Sequence, residues 1–186
     1  MDPQAPQPAL RRSSIHVTLI DANTHDAEDI ATLVNAAYRP RERGRGWTDE
    51  QGLVEGDRIL PAAVAQALAC DRFVLLRDSP GSPILACARV STVEDTVHLS
   101  TLAVDPAKQG RGLGTILIKR VEDWARESGM RSLSLSVIEQ RETLIAWYER
   151  RGFVATGEVE PFPYDNPAVG RPLRDNLALV TLQKRL

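Results

Sequence analysis

Between Leu102 and Gly114 the chain reads as an apolar strand, a short turn through Asp105 and Pro106, glycines at alternate positions, and then a strongly apolar helix. A helix start carries unpaired backbone N–H groups and the positive end of the helix dipole. Glycines there let a bulky anion come close to the backbone. The segment is therefore built to hold a phosphate or pyrophosphate. Two well-known phosphate loops fit it less well. A Walker loop ends in Gly-Lys-Ser/Thr, and Gly114-Thr115 lacks the lysine. A dinucleotide fold needs G-x-G-x-x-G, whereas the glycines here are Gly110, Gly112 and Gly114.

The spacing Gln109-Gly110-Arg111-Gly112-Leu113-Gly114 matches the signature Gln/Arg-x-x-Gly-x-Gly/Ala of acyl-CoA binding. With the preceding Leu-Ala-Val-Asp-Pro it resembles the GNAT superfamily of acyl-CoA-dependent N-acetyltransferases. A second segment, Thr143 to Phe153, is similar to that family's helix ending in Tyr, a basic residue and Gly-Phe, here Tyr148, Arg150, Arg151, Gly152 and Phe153. Element order extends the resemblance from Ile15 to Lys184, while the specific motifs cover Leu102–Val121 and Leu133–Phe153.

Residues 1–14, rich in Pro, Gln and Ala and without hydrophobic period, read as a disordered tail. The resemblance implies a single-domain α/β fold over residues 15–186, a mixed central sheet splayed open and flanked by helices. It implies acetyl-CoA as acyl donor, with the pantetheine arm lying along Leu102, Ala103 and Val104 like an added strand. Backbone groups left unpaired near Leu102 and Val104 would pair with its amides. The pyrophosphate would then reach Gln109, Gly110, Arg111, Gly112, Leu113, Gly114 and Thr115. A glycine-rich turn that merely packs helix on strand is the plainer alternative. Where many members carry Asn seven positions before the Tyr, this chain has Arg141, so that contact is not carried over.

The resemblance makes Tyr148 the general acid. Amine attack on a thioester gives a tetrahedral intermediate that expels a thiolate, and a phenol with a pKa of about 10 is protonated at neutral pH and can donate to that sulfur. Simple packing beside Leu144, Ile145 and Trp147 is the alternative. The general base stays open among Glu94, Asp95, His98, Glu139 and an ordered water chain. In this architecture the acceptor lies against the first helix, the following loop and the late loop. Here those supply Tyr38, Arg39, Arg45, Trp47, Glu50, Arg58 and the stretch Pro161–Tyr164. The arginines could grip a carboxylate bidentately or form a solvated face.

Element by element, Ile15–Ile20 reads as a strand, and Ile30, Leu33, Val34 and Ala37 fall at helical spacing until Pro40. Pro61 opens a helix to Ala69, and strands at Arg72–Arg77 and Ile84–Val90 flank a Ser-Pro-Gly turn. A strand follows at Thr96–Val104, then a helix closing near Gly129. Ser132–Val137 alternates Ser with apolar residues, Glu142–Arg151 is helical, Phe153–Glu158 a strand, Glu160–Arg174 a proline-rich loop and Asn176–Leu182 the last strand.

The 186 residues carry a formal net charge of -2, which gives no general drive toward nucleic acid or anionic membranes. No apolar run is long enough to span a bilayer, so a cytoplasmic enzyme is expected. Cys70 and Cys87 read as two buried free thiols, and His16, His25 and His98 lack ligand spacing, so no metal is expected. A homodimer is a possible assembly. The leading function is transfer of an acetyl group from acetyl-CoA to the amine of a small molecule. The alternatives are a protein N-terminal or lysine acetyltransferase, or a catalytically silent CoA-binding regulatory module.

Overall fold

A computed structural model describes residues 18–40, 46 and 48–186. The expected tail, the start of the first strand at Ile15, and the acceptor candidates Arg45 and Trp47 lie outside the described residues.

The chain runs β1 (Thr18–Asp21), α1 (Ala27–Tyr38), β2 (Val54–Glu55), α2 (Pro61–Ala67), β3 (Arg72–Arg77), β4 (Ile84–Val93), β5 (Thr96–Val104), α3 (Leu113–Glu127), β6 (Ser132–Ile138), α4 (Glu142–Glu149), β7 (Val154–Pro161), β8 (Arg171–Pro172) and β9 (Ala178–Arg185). The large sheet has the order β1-β3-β4-β5-β6-β9-β7. Only β5 and β6 run parallel; the other neighbours are antiparallel. No helix among the described residues is long and apolar enough to cross a membrane.

The apolar periodicity of α1 is buried as expected, with Ile30, Leu33, Val34 and Ala37 facing in. Ahead of it, Asn23 accepts from the His25 N–H at 2.9 Å, while its own N–H donates to Asp26, which starts the helix cleanly. Helices α1 and α2 cover one face of the sheet, over Phe73, Leu75, Cys87 and Ala103. Helices α3 and α4 cover the other, where Leu113, Leu117, Val121 and Tyr148 meet Val97, Leu99, Leu102 and Val104.

That last set changes parity between Leu99 and Leu102. The register of β5 against β4 shifts there, and Thr101 adopts φ 52, a left-handed conformation that a β-branched residue resists. The bulge turns Leu102 and Val104 onto the same face as Val97 and Leu99.

Several expectations are corrected. The late loop is not purely a loop: β8 pairs with β2, Val54 opposite Pro172 and Glu55 opposite Arg171. Proline in a segment argues against a strand, and it is tolerated here because a two-stranded sheet has only edges. The alternation of β6 does not sort its residues by burial. Ser132 and Ser134 are buried, because β6 is an interior strand; Ser132 Oγ lies 2.8 Å from Thr96 Oγ1 and Ser134 Oγ 2.6 Å from His98 Nδ1. Cys87 is buried but Cys70, in the turn after α2, is exposed; both are free.

Candidate active site

β5 and β6 pair only at Thr96, Val97 and His98, opposite Ser132, Leu133 and Ser134. Beyond that point β5 continues to Val104 and β6 to Ile138 without pairing, so the sheet opens in a wedge. The Asp105 N–H donates to Leu85 on the β4 side. Backbone groups alternate along a strand, so Ala103 faces β4 while Leu102 and Val104 face the wedge. Their carbonyls are not wholly free. Leu102 O accepts the Tyr38 hydroxyl at 2.9 Å, and Val104 O accepts Gln109 Nε2 at 3.4 Å. The N–H groups on that edge face a gap instead of a strand, which is the arrangement an extended amide chain completes.

After β5, Asp105 caps a short turn by accepting from the Ala107 N–H at 2.9 Å. Gly110 and Gly112 then take φ of 78 and 81, and Gly112 is the cap of α3. Open space lies where a Gly112 β-carbon would project. Gly114 has a different reason to be small: its β-carbon would sit 3.4 Å from the Trp147 ring. The Leu113, Gly114 and Thr115 N–H groups form the first turn, without an acidic side chain or a capping side chain.

Positive charge gathers at this positive helix end. Arg151 stacks 3.5 Å over Trp147 and donates at 2.7 Å both to Thr115 Oγ1 and to the Trp147 carbonyl. Burial, then Arg150 beside it, lowers its pKa. Arg111 is exposed in the same loop. A cation at a helix N-terminus is unfavourable unless an anion lies between them. Loop, helix start and arginine together make a positive, backbone-lined concavity of the kind that suits a phosphate group.

Tyr148 is buried, edge-on to Trp147 at 5.0 Å and to Phe153 at 5.5 Å. Burial pushes its phenol pKa well up and Tyr38 pushes it further, against the smaller pull of Arg141 and Arg151. The group therefore stays protonated. Packing and proton donation are compatible in this one residue. Arg141 is buried at the start of α4 and donates to the Thr48 carbonyl at 3.1 Å. Gln109 Nε2 reaches Thr48 Oγ1 at 3.1 Å, so both tie the donor side to the loop before β2.

The acceptor candidates separate. Arg39 is spent internally: it is paired with Glu50, both side chains being buried, and it donates to the Gly56 carbonyl at 3.1 Å and the Val169 carbonyl at 3.3 Å. With these partners it clamps the loops together. Asn35, which the sequence reading passed over, holds the same connection, accepting from the Arg58 N–H at 2.7 Å and donating to the Ile59 carbonyl at 2.9 Å. Arg58 lies 5.6 Å over the Tyr38 ring, and among the described residues none pairs with its guanidinium. Phe162 is buried with Leu53, Val54, Ile138 and Leu177, and Tyr164 Oη accepts from the Leu177 N–H at 2.6 Å. These contacts fix the late loop. A groove of about 530 Å³ lies between the two loops, with Asp57, Ile59, Leu60, Tyr164 and Asp165 among the residues that line it.

Of the base candidates, Glu94 and Asp95 form the β4–β5 turn at the far end of β5. At the rise of a strand that is about 20 Å from Leu102. His98 sits at the apex of the wedge on Ser134, and Glu139 is exposed after β6. Glu94, Asp95 and His98 thus lie on the paired side of the wedge, while Glu139, at the same offset of register, falls on the β6 side across from the Leu102–Val104 end of β5.

A model of the acetyltransferase (GNAT) family matches residues 30–153. An IAA acetyltransferase of Azospirillum brasilense is 29% identical over 96 residues, 50% of this chain and 61% of that protein. A ribosomal-protein-bS18-alanine N-acetyltransferase of Salmonella typhimurium is 34% identical over 83 residues, 45% of this chain and 56% of that protein. The chain thus spans less than two thirds of the length of these curated relatives. Among solved structures, an IAA acetyltransferase from Bacillus cereus superimposes with a TM-score of 0.64 over 91% of this chain and 99% of that one, at 16% identity, a likeness of fold.

Proposed function

Because the chain belongs to the acetyltransferase (GNAT) family, we propose that it is an N-acetyltransferase that moves an acetyl group from acetyl-CoA to the amine of a small molecule. The wedge between β5 and β6, open beside a glycine loop and a cation-bearing helix start, carries this reading. The pantetheine arm lies along Leu102, Ala103 and Val104 as an added strand. The pyrophosphate rests on the loop from Gln109 to Gly112 and on the first N–H groups of α3, at Leu113, Gly114 and Thr115. Arg111 adds charge.

The amine nitrogen attacks the thioester carbon and the C–N bond forms. The tetrahedral intermediate collapses, the C–S bond breaks, and Tyr148 protonates the departing sulfur. Burial raises the phenol pKa, so Tyr148 still carries its proton when the thiolate forms beside it. The nitrogen loses its proton to water.

A small acceptor is supported by how the acceptor side closes. The β2–β8 pair and the Arg39 clamp tie the loop after α1 to the late loop, where an extended peptide needs an open channel. The carboxylates Asp57 and Asp165 that line the groove suit an incoming ammonium group, and Arg58, over the Tyr38 ring, suits an anionic group. A protein acceptor is the second reading, favoured by the name of the ribosomal-protein relative. Thiol release from acetyl-CoA, measured with amino acids, small alkylamines and peptides, decides between them. Turnover with small amines alone supports the first reading; turnover with peptides alone replaces it by the second; none with any of them rejects both.

A further inference from the structure

Tyr38 ends α1 at a place where the acceptor side touches the donor side. Its hydroxyl donates to Leu102 O at 2.9 Å, on the edge of β5 that faces the wedge. Its ring carries Arg58 on one side, and its field reaches Tyr148. A phenol has one proton to give and two lone pairs to offer. The proton is committed to Leu102, so the lone pairs are what the Tyr38 hydroxyl has left for a second partner.

We propose that Tyr38 positions the attacking amine, accepting a hydrogen bond from its N–H while donating to Leu102 O, and so aims the nitrogen lone pair at the thioester carbon. The inference rests on the acetyltransferase reading above. As the C–N bond forms, positive charge grows on the nitrogen and its N–H becomes a stronger donor. A phenol oxygen polarised by its own bond to a carbonyl is the better acceptor for it. The contact therefore strengthens toward the transition state and acts on turnover more than on ground-state binding. Tyr38 does not take the proton. Burial pushes its pKa up to about 12, so it stays a neutral phenol, and the nitrogen's proton goes to water while the electron pair of the C–S bond goes to sulfur.

The test uses the full chain, acetyl-CoA, and the amine with the highest turnover in a panel of amino acids and alkylamines. Tyr38→Phe keeps the ring under Arg58 and removes only the hydroxyl. Its kcat is expected to fall about 10–100-fold, the range for a hydrogen bond to a charged group, with the acetyl-CoA dissociation constant and the thermal midpoint near wild type. Arg58→Ala is expected to show the opposite split, a raised acceptor Michaelis constant with kcat retained. Unchanged amine kinetics in Tyr38→Phe overturn the proposal. So does a loss of acetyl-CoA affinity in proportion to the loss of turnover, which a mere anchor on Leu102 would give. If Tyr38→Phe does not fold, a structure of the wild type with that amine joined to CoA decides: nitrogen within hydrogen-bond distance of Tyr38 Oη supports the proposal, and nitrogen beyond it refutes it. A wild type that releases no thiol with any amine refutes the acetyltransferase reading itself, and the positioning role with it.

Discussion

On the donor side, most of the groups that would meet a phosphate are backbone N–H groups within one run from Gln109 to Thr115, with Arg151 added from just after α4. On the acceptor side, a single side chain, Arg39, reaches Glu50, Gly56 and Val169. The donor, if acetyl-CoA, is recognised by a loop conformation that glycines permit. The acceptor surface proposed above is assembled from the end of α1, the connection to α2 and the loop before β9. A site of the first kind tolerates change in most side chains but not in its glycines. A site of the second kind depends on ion pairs and tyrosines spread over the chain.

The largest effect is expected at the proposed proton donor. Tyr148→Phe removes the proton given to the leaving sulfur, so kcat should fall about 10²–10⁴-fold while acetyl-CoA still binds. Equal kcat in the two proteins, with chemistry shown to limit the rate, removes Tyr148 from the mechanism and leaves it a packing residue.

Arg39→Ala tests the assembled side. It leaves Glu50 buried without its partner, and breaking such a pair costs about 3–5 kcal/mol. Urea unfolding should show that loss. Stability within experimental error of wild type would mean that Glu50 finds water, and that Arg39 is not the clamp between the loops.

Gly112→Val tests the local side. Its φ of 81 and the open space ahead of its β-carbon predict a loop that can neither keep its shape nor admit a phosphate. The acetyl-CoA dissociation constant should rise at least about tenfold, or about 1.4 kcal/mol, with the acceptor loops undisturbed. Unaltered affinity in a folded variant breaks the phosphate-loop assignment.

The mildest test spans both sides and is read in alkali. Burial raises the Cys87 thiol from 9.0 and the Tyr38 phenol from 10.0, each to about 12, and raises Tyr148 as well. The folded state therefore holds these protons more tightly than the unfolded chain. Their contribution is complete below about pH 9 and is lost as pH climbs through the folded values, because the unfolded chain ionises first. The urea midpoint should fall steadily from pH 9 toward 12, and by less in Tyr38→Phe. A flat midpoint over that range would mean that these groups are hydrated in the fold.

Much of this molecule was legible before any coordinates. The periodicity of Ile30, Leu33, Val34 and Ala37 gave α1, the Ser-Pro-Gly turn gave the β3–β4 hairpin, and Gly110, Gly112 and Gly114 marked the start of α3. The bulge at Thr101 also left a trace, since the apolar positions switch from odd at Val97 and Leu99 to even at Leu102 and Val104. Each of these signals is short-range: hydrogen-bond period, allowed φ and burial of one face are set by residues a few positions apart.

The fates of the charged residues were not legible. Arg39 and Arg58 look alike in the sequence, yet one is buried on Glu50 and the other lies over Tyr38. Whether Leu102 O would find Tyr38, whether Pro172 would pair with Val54, and which serines of β6 would be covered all turned on which segments the sheet brought together. A guanidinium or a hydroxyl takes whichever partner is near and dry, and partners tens of residues away in sequence become near only when the core has closed. The chain by itself determined its backbone elements and its glycine loop; the tertiary structure decided which polar side chains are spent on the fold and which remain for a substrate.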